Sequence, residues 1–414
     1  MASNAEFDAI VLGGGVAGLV AARRLARGGA RVALLEPAER LGGQVAPLLI
    51  AGIALDAAAE SYATRGGAVA ALADELGLHG DLIVPSPSPA WLHRVDGSAV
   101  PLPAAGVLGI PGHPLAADVV RTIGRPAAWR AAIDGVLPRR VGRDAASLGA
   151  LVRARMGRGV VEQLVGPVVR GVHSRDPDDL PVDAASPRLR AELAAHGSLA
   201  RAVRALRAQA PAGSQVGSIR GGMHRLVAVL AADCERLGVD VRTGVDLTDL
   251  DERSVRADGH RLEGTIVRAF AEPADDRRRL TLVTLVVDAP GLDDAPRGTG
   301  LLVPPGAPRV SARALTHLSA KWEWIAEALP GRHALRLSYD GEPSRPVETA
   351  TNDAAVLLGT RIGLVTDSAV RVWDRGVRRS GADVVSIGEG AAGTGLAAVV
   401  AQAERAAADL LAAG

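Results

Sequence analysis

Cysteine is nearly absent. The single Cys234 in 414 residues excludes an internal disulfide and any metal or iron–sulfur site built on several cysteines, so no bound metal is expected. Long apolar runs are missing too. No stretch reaches the roughly 18 residues that a membrane-spanning helix needs, which predicts no span and leaves only peripheral membrane contact open. Neither sign of charge is in excess: 47 basic residues face 46 acidic ones, a formal net charge of +1, and the electrostatic case for a nucleic-acid partner falls away. Aromatic residues, at 2%, leave few rings to sandwich a large planar ligand. Lysine is almost missing. Lys321 stands alone among the 47 basic residues, at a place where a compact charge or a labile proton would be of use and arginine could supply neither; a leftover lysine without a role is the plain alternative.

What remains is an ordinary globular composition, 48% apolar and 22% charged, in a chain long enough for two or three domains. The sequence enters an apolar strand within about ten residues, without a charged-then-apolar leader. A cytoplasmic location is expected on that ground. No internal repeat stands out, and the oligomeric state is left open.

The most informative segment runs from Asp8 to Leu19 and holds Gly13, Gly14, Gly15, Val16, Ala17 and Gly18. An apolar strand, Ala9 to Leu12, delivers the chain to a tight turn at Gly13, and Gly15 admits a pyrophosphate close to the backbone. Gly18 lets the following helix lie against the strand, and the free amides of that helix face the phosphates. Glu36 closes the next apolar run, where its carboxylate can accept from both ribose hydroxyls and would repel a 2′-phosphate. A dinucleotide without that phosphate is the expected ligand.

The coarse pattern is α/β. Helices are expected over Val16 to Arg27, over Ala68 to Leu76 and from Met223 to about Leu237, with strands at Arg31 to Glu36, Asp240 to Thr243, Leu280 to Val287, Ala334 to Tyr339 and Val384 to Gly388. Residues 85 to 126 read as loops and short strands, and 127 to 210 as mostly helical. The expected architecture is a doubly wound, Rossmann-like nucleotide-binding domain (1–80, 215–265 and 380–414) interleaved with a mixed α+β substrate-binding domain (81–126 and 266–379) and a helical cap (127–214).

Arg40-Leu41-Gly42-Gly43 follows Glu36 closely, an arginine that can clamp a pyrophosphate and two glycines that admit a bulkier ring system. A plain NAD enzyme does not need this element; an extended FAD does. Near the other end, Gly388-Glu389-Gly390 leads through Gly393-Thr394-Gly395-Leu396 into a helix whose positive end can face a flavin ring. The alternative there is that Thr394 only caps a terminal amphipathic helix.

Together these segments resemble the flavin amine oxidase and protoporphyrinogen oxidase superfamily, whose N-terminal signature is a strand, a glycine turn, a glutamate and R-x-G-G. Inner segments resemble its protoporphyrinogen and coproporphyrinogen oxidases, closest to the bacterial HemY-type branch. They are Glu60 to Arg65 with Leu72 to Leu76, Ser147 to Gly157, Leu164 to His173, and the S-x-K-W stretch Ser319 to Trp322. The resemblance implies FAD bound by Gly13 to Gly18, Glu36, Arg40, Gly42, Gly43, Val245, Gly388, Glu389, Thr394, Gly395 and Leu396. Attachment is expected to be non-covalent, since Cys234 is far from the C-terminal turn in sequence.

It further implies oxidation of a porphyrinogen to the porphyrin by three hydride transfers to FAD, with dioxygen as acceptor. The substrate's pyrrole nitrogens can lose their own protons, so no catalytic side chain is identified. Arg65, Arg170, His173, Lys321 and Arg336 are the candidates to meet its propionates; for each arginine a surface ion pair is the ordinary alternative. Coproporphyrinogen III and protoporphyrinogen IX both stay open. Two departures bear on activity. The family's Ala-Asp-x-Val-Val strand is not legible between His260 and Arg279, and the stretch from Trp373 to Val384 is short. An amine oxidase or desaturase relative, or an inactive FAD-binding homologue, are the alternatives.

Overall fold

A computed structural model describes residues 5–173, 175–208, 216–270, 273–377, 385–393 and 395–413. The chain divides into two compact units, the first made of Met1–Pro85, Gly213–Arg278 and Asp374–Gly414, the second of Ser86–Ala212 and Arg279–Trp373.

The first unit is built on strands β1 (Ala5–Leu12), β2 (Val32–Glu36), β3 (Asp240–Thr243), β4 (Leu247–Thr248), β5 (Ser254–Ala257), β6 (His260–Arg268) and β7 (Val385–Ser386). They lie in the order β3-β2-β1-β6-β5-β4, with β7 also on β6. The pairs β1–β2, β2–β3, β1–β6 and β6–β7 are parallel, and β5 runs antiparallel to β6. Ile10, Val11, Leu12, Leu34 and Leu35 are fully buried, as a parallel sheet covered on both faces requires. Helix α1 (Val16–Arg27) buries Leu19, Val20 and Leu25 in one core with α2 (Ala68–Glu75), α3 (His224–Arg236) and α4 (Leu396–Ala413). Each such side chain contributes about 1.5–3 kcal/mol. Arg23, buried on α1, ties three helices through Glu75 (2.9 Å) and Asp233 (2.6 Å).

Strand β6 lies in the stretch from His260 to Arg279 where the Ala-Asp-x-Val-Val strand is not legible in the sequence. It fills the place beside β1, in register from Ala9 opposite Thr265 to Leu12 opposite Arg268. The other doubtful stretch falls partly outside the described residues, at 378–384.

In the second unit a seven-stranded sheet includes Leu280–Val287, paired antiparallel with the strand His333–Asp340, which pairs in turn with Ala314–His317. Leu335, Leu337 and Tyr339 point into a core with the helix Pro346–Leu358, so strand alternation puts Arg336 on the opposite face. Residues 117–208 are mostly helical around a separate apolar core. Its polar centre is Asp134, fully buried, which accepts from Arg155 Nε, Ser198 Oγ (2.7 Å), Leu199 N (3.1 Å) and Ala200 N (2.8 Å).

Candidate functional site

Two positions of the glycine turn are closed to other residue types, one by its backbone angle and one by a close contact. Gly13 sits at φ +106° and donates its N–H to Leu35 O at 2.8 Å. A Cβ on Gly18 would lie 1.9 Å from Gly13 O, which is how closely α1 is packed on the end of β1. Gly15, the residue before α1, has φ −70°, and a Cβ there would meet nothing within 4 Å. The free space beside the turn therefore opens at Gly15. Val16 and Ala17 follow in the first turn of α1, whose amides have no acceptor within the helix.

Glu36 is joined to this turn. Its Oε2 accepts from Gly14 N at 2.6 Å and its Oε1 from Ala38 N at 2.8 Å. Two ionised oxygens offer about four acceptor sites, so capacity remains for a pair of hydroxyl donors. Val245 supports Glu36 from behind: its N–H donates to Glu36 O at 3.2 Å while its side chain is buried in the core. It meets the site through its backbone.

Arg40 to Gly43 pack directly on the turn. Gly42 N donates to Gly14 O at 2.8 Å, and a Cβ on Gly43 would come within 3.7 Å of Gly15 Cα. Arg40 is exposed and folds its guanidinium back onto Gly43 O, 3.2 Å from each terminal nitrogen.

The far end of the chain returns to the same place. Gly388, at φ +91°, has its Cβ position 3.5 Å from the Ala17 methyl and 3.2 Å from Ala269 O. Glu389 accepts from Gln44 Nε2 at 3.3 Å, across 345 residues of sequence. Gly395 (φ +110°) precedes Leu396, the first residue of α4; Thr394 lies outside the described residues. Three residues that sequence reading missed hold this arrangement. Ala269, past the end of β6, backs both Gly13 and Gly18; Gln44 reaches Glu389; Gln402 on α4 accepts from Gly388 N (3.2 Å) and donates to Ser386 O (3.1 Å). Only Ala269 carries a sequence signal, a small residue just past an apolar run.

The residues considered for substrate are divided between the two units. Arg65 is exposed in the first unit. Arg170, Lys321 and Arg336 are in the second, and the side chain of His173 lies outside the described residues. Arg170 pairs with Asp176 and lines a cavity of about 500 Å³ that also takes in Arg153, Glu162 and Asp178. Lys321 Nζ sits 5.1 Å from the centre of the Trp322 ring, a cation–π contact. Arg336 is buried on the sheet, with Nε on Thr284 Oγ1 at 3.2 Å.

Close to Lys321 in sequence, His317 takes part in a polar chain that the sequence did not announce. Its Nε2 lies 3.2 Å from His333 Nδ1, and His333 Nε2 lies 3.0 Å from Asp293 Oδ1. Burial, with His333 adding to it, pushes the His317 imidazole down to about 4. Among the described residues no group of three or more His, Cys, Asp or Glu could hold a metal ion, and no helix is long and apolar enough to cross a membrane.

Comparison with known proteins adds a family to this geometry. Residues 16–275, more than half of the chain, match the profile described as flavin-containing amine oxidoreductase. A coproporphyrinogen III oxidase of Propionibacterium freudenreichii is 28% identical over 277 residues, covering 58% of this chain and 53% of that protein, so the match spans about half of the relative's length. A coproporphyrinogen III oxidase of Mycobacterium tuberculosis (strain H37Rv) is 29% identical over 421 residues, covering 91% of this chain and 88% of the relative. Among solved structures, one from Exiguobacterium sp. 255-15, provisionally assigned as a protoporphyrinogen oxidase, superposes with a TM-score of 0.82 at 21% identity, covering 100% of both chains. That likeness establishes the fold.

Proposed function

The chain belongs to the flavin-containing amine oxidoreductase family, with FAD as its cofactor, and from that premise we propose that it is a porphyrinogen oxidase that converts coproporphyrinogen III to the porphyrin with dioxygen as acceptor. The observation that carries the proposal is the meeting of two glycine turns from opposite ends of the chain, at Ala17 with Gly388 and at Gln44 with Glu389. The cradle fits an extended dinucleotide: open space at Gly15, unpaired helix amides behind it, and a carboxylate with acceptor capacity to spare.

In this reading the amides of Gly15 to Gly18 hold the pyrophosphate, Glu36 holds the adenosine ribose, and Arg40, Gly42 and Gly43 border the diphosphate. Gly388, Glu389, Gly395 and Leu396 border the flavin half. FAD, when bound, supplies the two-electron acceptor. The protein's own contribution is to bind and orient. Lys321 and Arg336, both in the second unit, are the groups proposed to meet substrate carboxylates; Arg170 is paired with Asp176. Coproporphyrinogen III is preferred to protoporphyrinogen IX because the curated relatives carry that name.

Oxygen uptake and porphyrin fluorescence test the proposal, with coproporphyrinogen III, protoporphyrinogen IX and simple amines supplied in turn to the FAD-loaded protein. Porphyrin formed fastest from coproporphyrinogen III, with hydrogen peroxide in step, is the expected result. Turnover of amines alone would move the protein to an amine oxidase, and bound FAD with no turnover of any donor would make it an inactive homologue.

A further inference from the structure

The cavity of about 500 Å³ beside Arg170 lies wholly within the second unit and shares no residue with the two glycine turns. Its size is that of a small-molecule site. One wall is a single wide turn of π-helix, Val161–Val165, a rare form that is frequent at functional sites. Gly166 follows it, and a Cβ there would fall 3.0 Å from Val161 O and 3.1 Å from Arg170 Nη1. Glycine at this position lets the guanidinium lie against the wide turn.

The lining carries both signs of charge in equal measure. Among the described residues, Arg94, Arg153 and Arg170 supply the positive groups, and Glu162, Asp176 and Asp178 the negative ones. His93 adds no charge, since burial pushes its imidazole toward the neutral form. Arg153 forks onto Asp178, Nη1 to Oδ1 at 3.0 Å and Nη2 to Oδ2 at 2.7 Å, Arg170 pairs with Asp176, and Arg94 reaches Asp96 at 3.2 Å. A guanidinium has five N–H donors and these pairings occupy one or two, so each arginine keeps donors for a further oxygen. Leu92, Val95, Pro304 and Pro305 give the same cavity an apolar side.

We propose that this cavity is a second ligand site and that it takes the zwitterion of an amino acid with an apolar side chain. The carboxylate meets the arginines, the ammonium meets the acids, and the side chain lies against Leu92, Val95 and the two prolines. A simple anion would sit among three carboxylates and a simple cation among three guanidiniums. A ligand that carries both charges leaves the balance of the lining intact.

Calorimetric titration of the FAD-loaded full chain with L-phenylalanine, N-acetyl-L-phenylalanine and L-phenylalanine amide is the test. The free amino acid is expected to bind at millimolar concentration or below, and each blocked relative, which keeps one charge only, at least about tenfold more weakly. Val95 is 58% exposed, so Val95→Trp can fill the cavity without disturbing the core, and it should abolish binding. An Arg170→Gln variant should bind about tenfold more weakly or worse. Flavin absorbance and the thermal midpoint without amino acid, matching wild type in Val95→Trp, serve as the folding control. No binding of L-phenylalanine, or equal binding of either blocked relative, overturns the proposal. So does binding that persists in Val95→Trp or bleaches the flavin, which would assign the amino acid to the flavin site.

Discussion

Gly18 and Gly13 approach so closely that a single added methyl on Gly18 would fall 1.9 Å from the Gly13 carbonyl oxygen. Backbone on both sides cannot give way as a flexible side chain can. A Gly18→Ala variant is expected to lose stability at or above the upper end of the roughly 1–3 kcal/mol typical of overpacking, and to purify without flavin absorbance. Gly15→Ala gives the opposite dissociation, since the new methyl meets open space at an ordinary φ. Its melting should match wild type while FAD affinity drops. An unchanged FAD affinity in Gly15→Ala would remove the pyrophosphate from this turn.

Replacing Glu36 by glutamine keeps the shape and removes the charge. The amide then turns its NH₂ group toward Gly14 N or Ala38 N, which are both donors. Hydrogen bonds to a charged group contribute about 1.5–3 kcal/mol, so FAD should bind roughly 10- to 100-fold more weakly in a fluorescence-quenching titration. Equal affinities in the two proteins would leave Glu36 as a turn-forming residue only.

His317 ties stability to pH. Its imidazole is pushed down to about 4 in the folded chain by burial and by His333, against about 6.5 when unfolded, so the unfolded chain binds the extra proton first. The stabilising contribution is fully present above about pH 6.5 and is lost as the pH falls toward 4, by up to about 3 kcal/mol. Burial lowers His93 as well, with the same sign, so the comparison must be made against a His317→Gln variant. Urea denaturation at pH 7.5 and pH 4.5 should show a smaller acid loss in that variant; identical losses would refute the assignment to His317.

Asp134 and Arg155 form an ion pair that water does not reach. Asp134→Asn leaves the guanidinium buried without its counter-charge, a change that costs about 3–5 kcal/mol. Thermal melting followed by circular dichroism should show a clear fall in the midpoint, and a fall of only a degree or two would mean that the charge is balanced in some other way.

Local signals carried the first unit well. The helix Val16–Arg27 and the strand Asp240–Thr243 are legible to the residue, because a glycine turn, an apolar period and a Gly28-Gly29 stop are all written within a few positions. Strand β6 was hidden by its own chemistry: its first half alternates exposed charges, Arg261 and Glu263, in a hairpin with β5, and a mostly buried run follows only from Gly264 to Val267. Contacts between distant segments left no trace. Asp56 caps α3 by accepting from Met223 N and His224 N, 2.9 Å each, and no spacing rule connects residues 167 apart. The pairing of His317 with His333 depends in the same way on strand register, which sets His317 opposite Leu335.

The core beneath the glycine turn is assembled from the first and the last stretches of the sequence, with Val399, Val400, Ala403 and Ala407 packed among the side chains of α1 and Leu411 filling the space that Gly28 leaves. During synthesis, residues 16–27 therefore wait until 396–413 have been made before their apolar face is covered. From the synthesis of residue 27 until α4 has been made the nascent chain carries an exposed half-core, so a chaperone would find its binding stretch in α1, and a chain that lacks α4 is expected to retain the cofactor poorly.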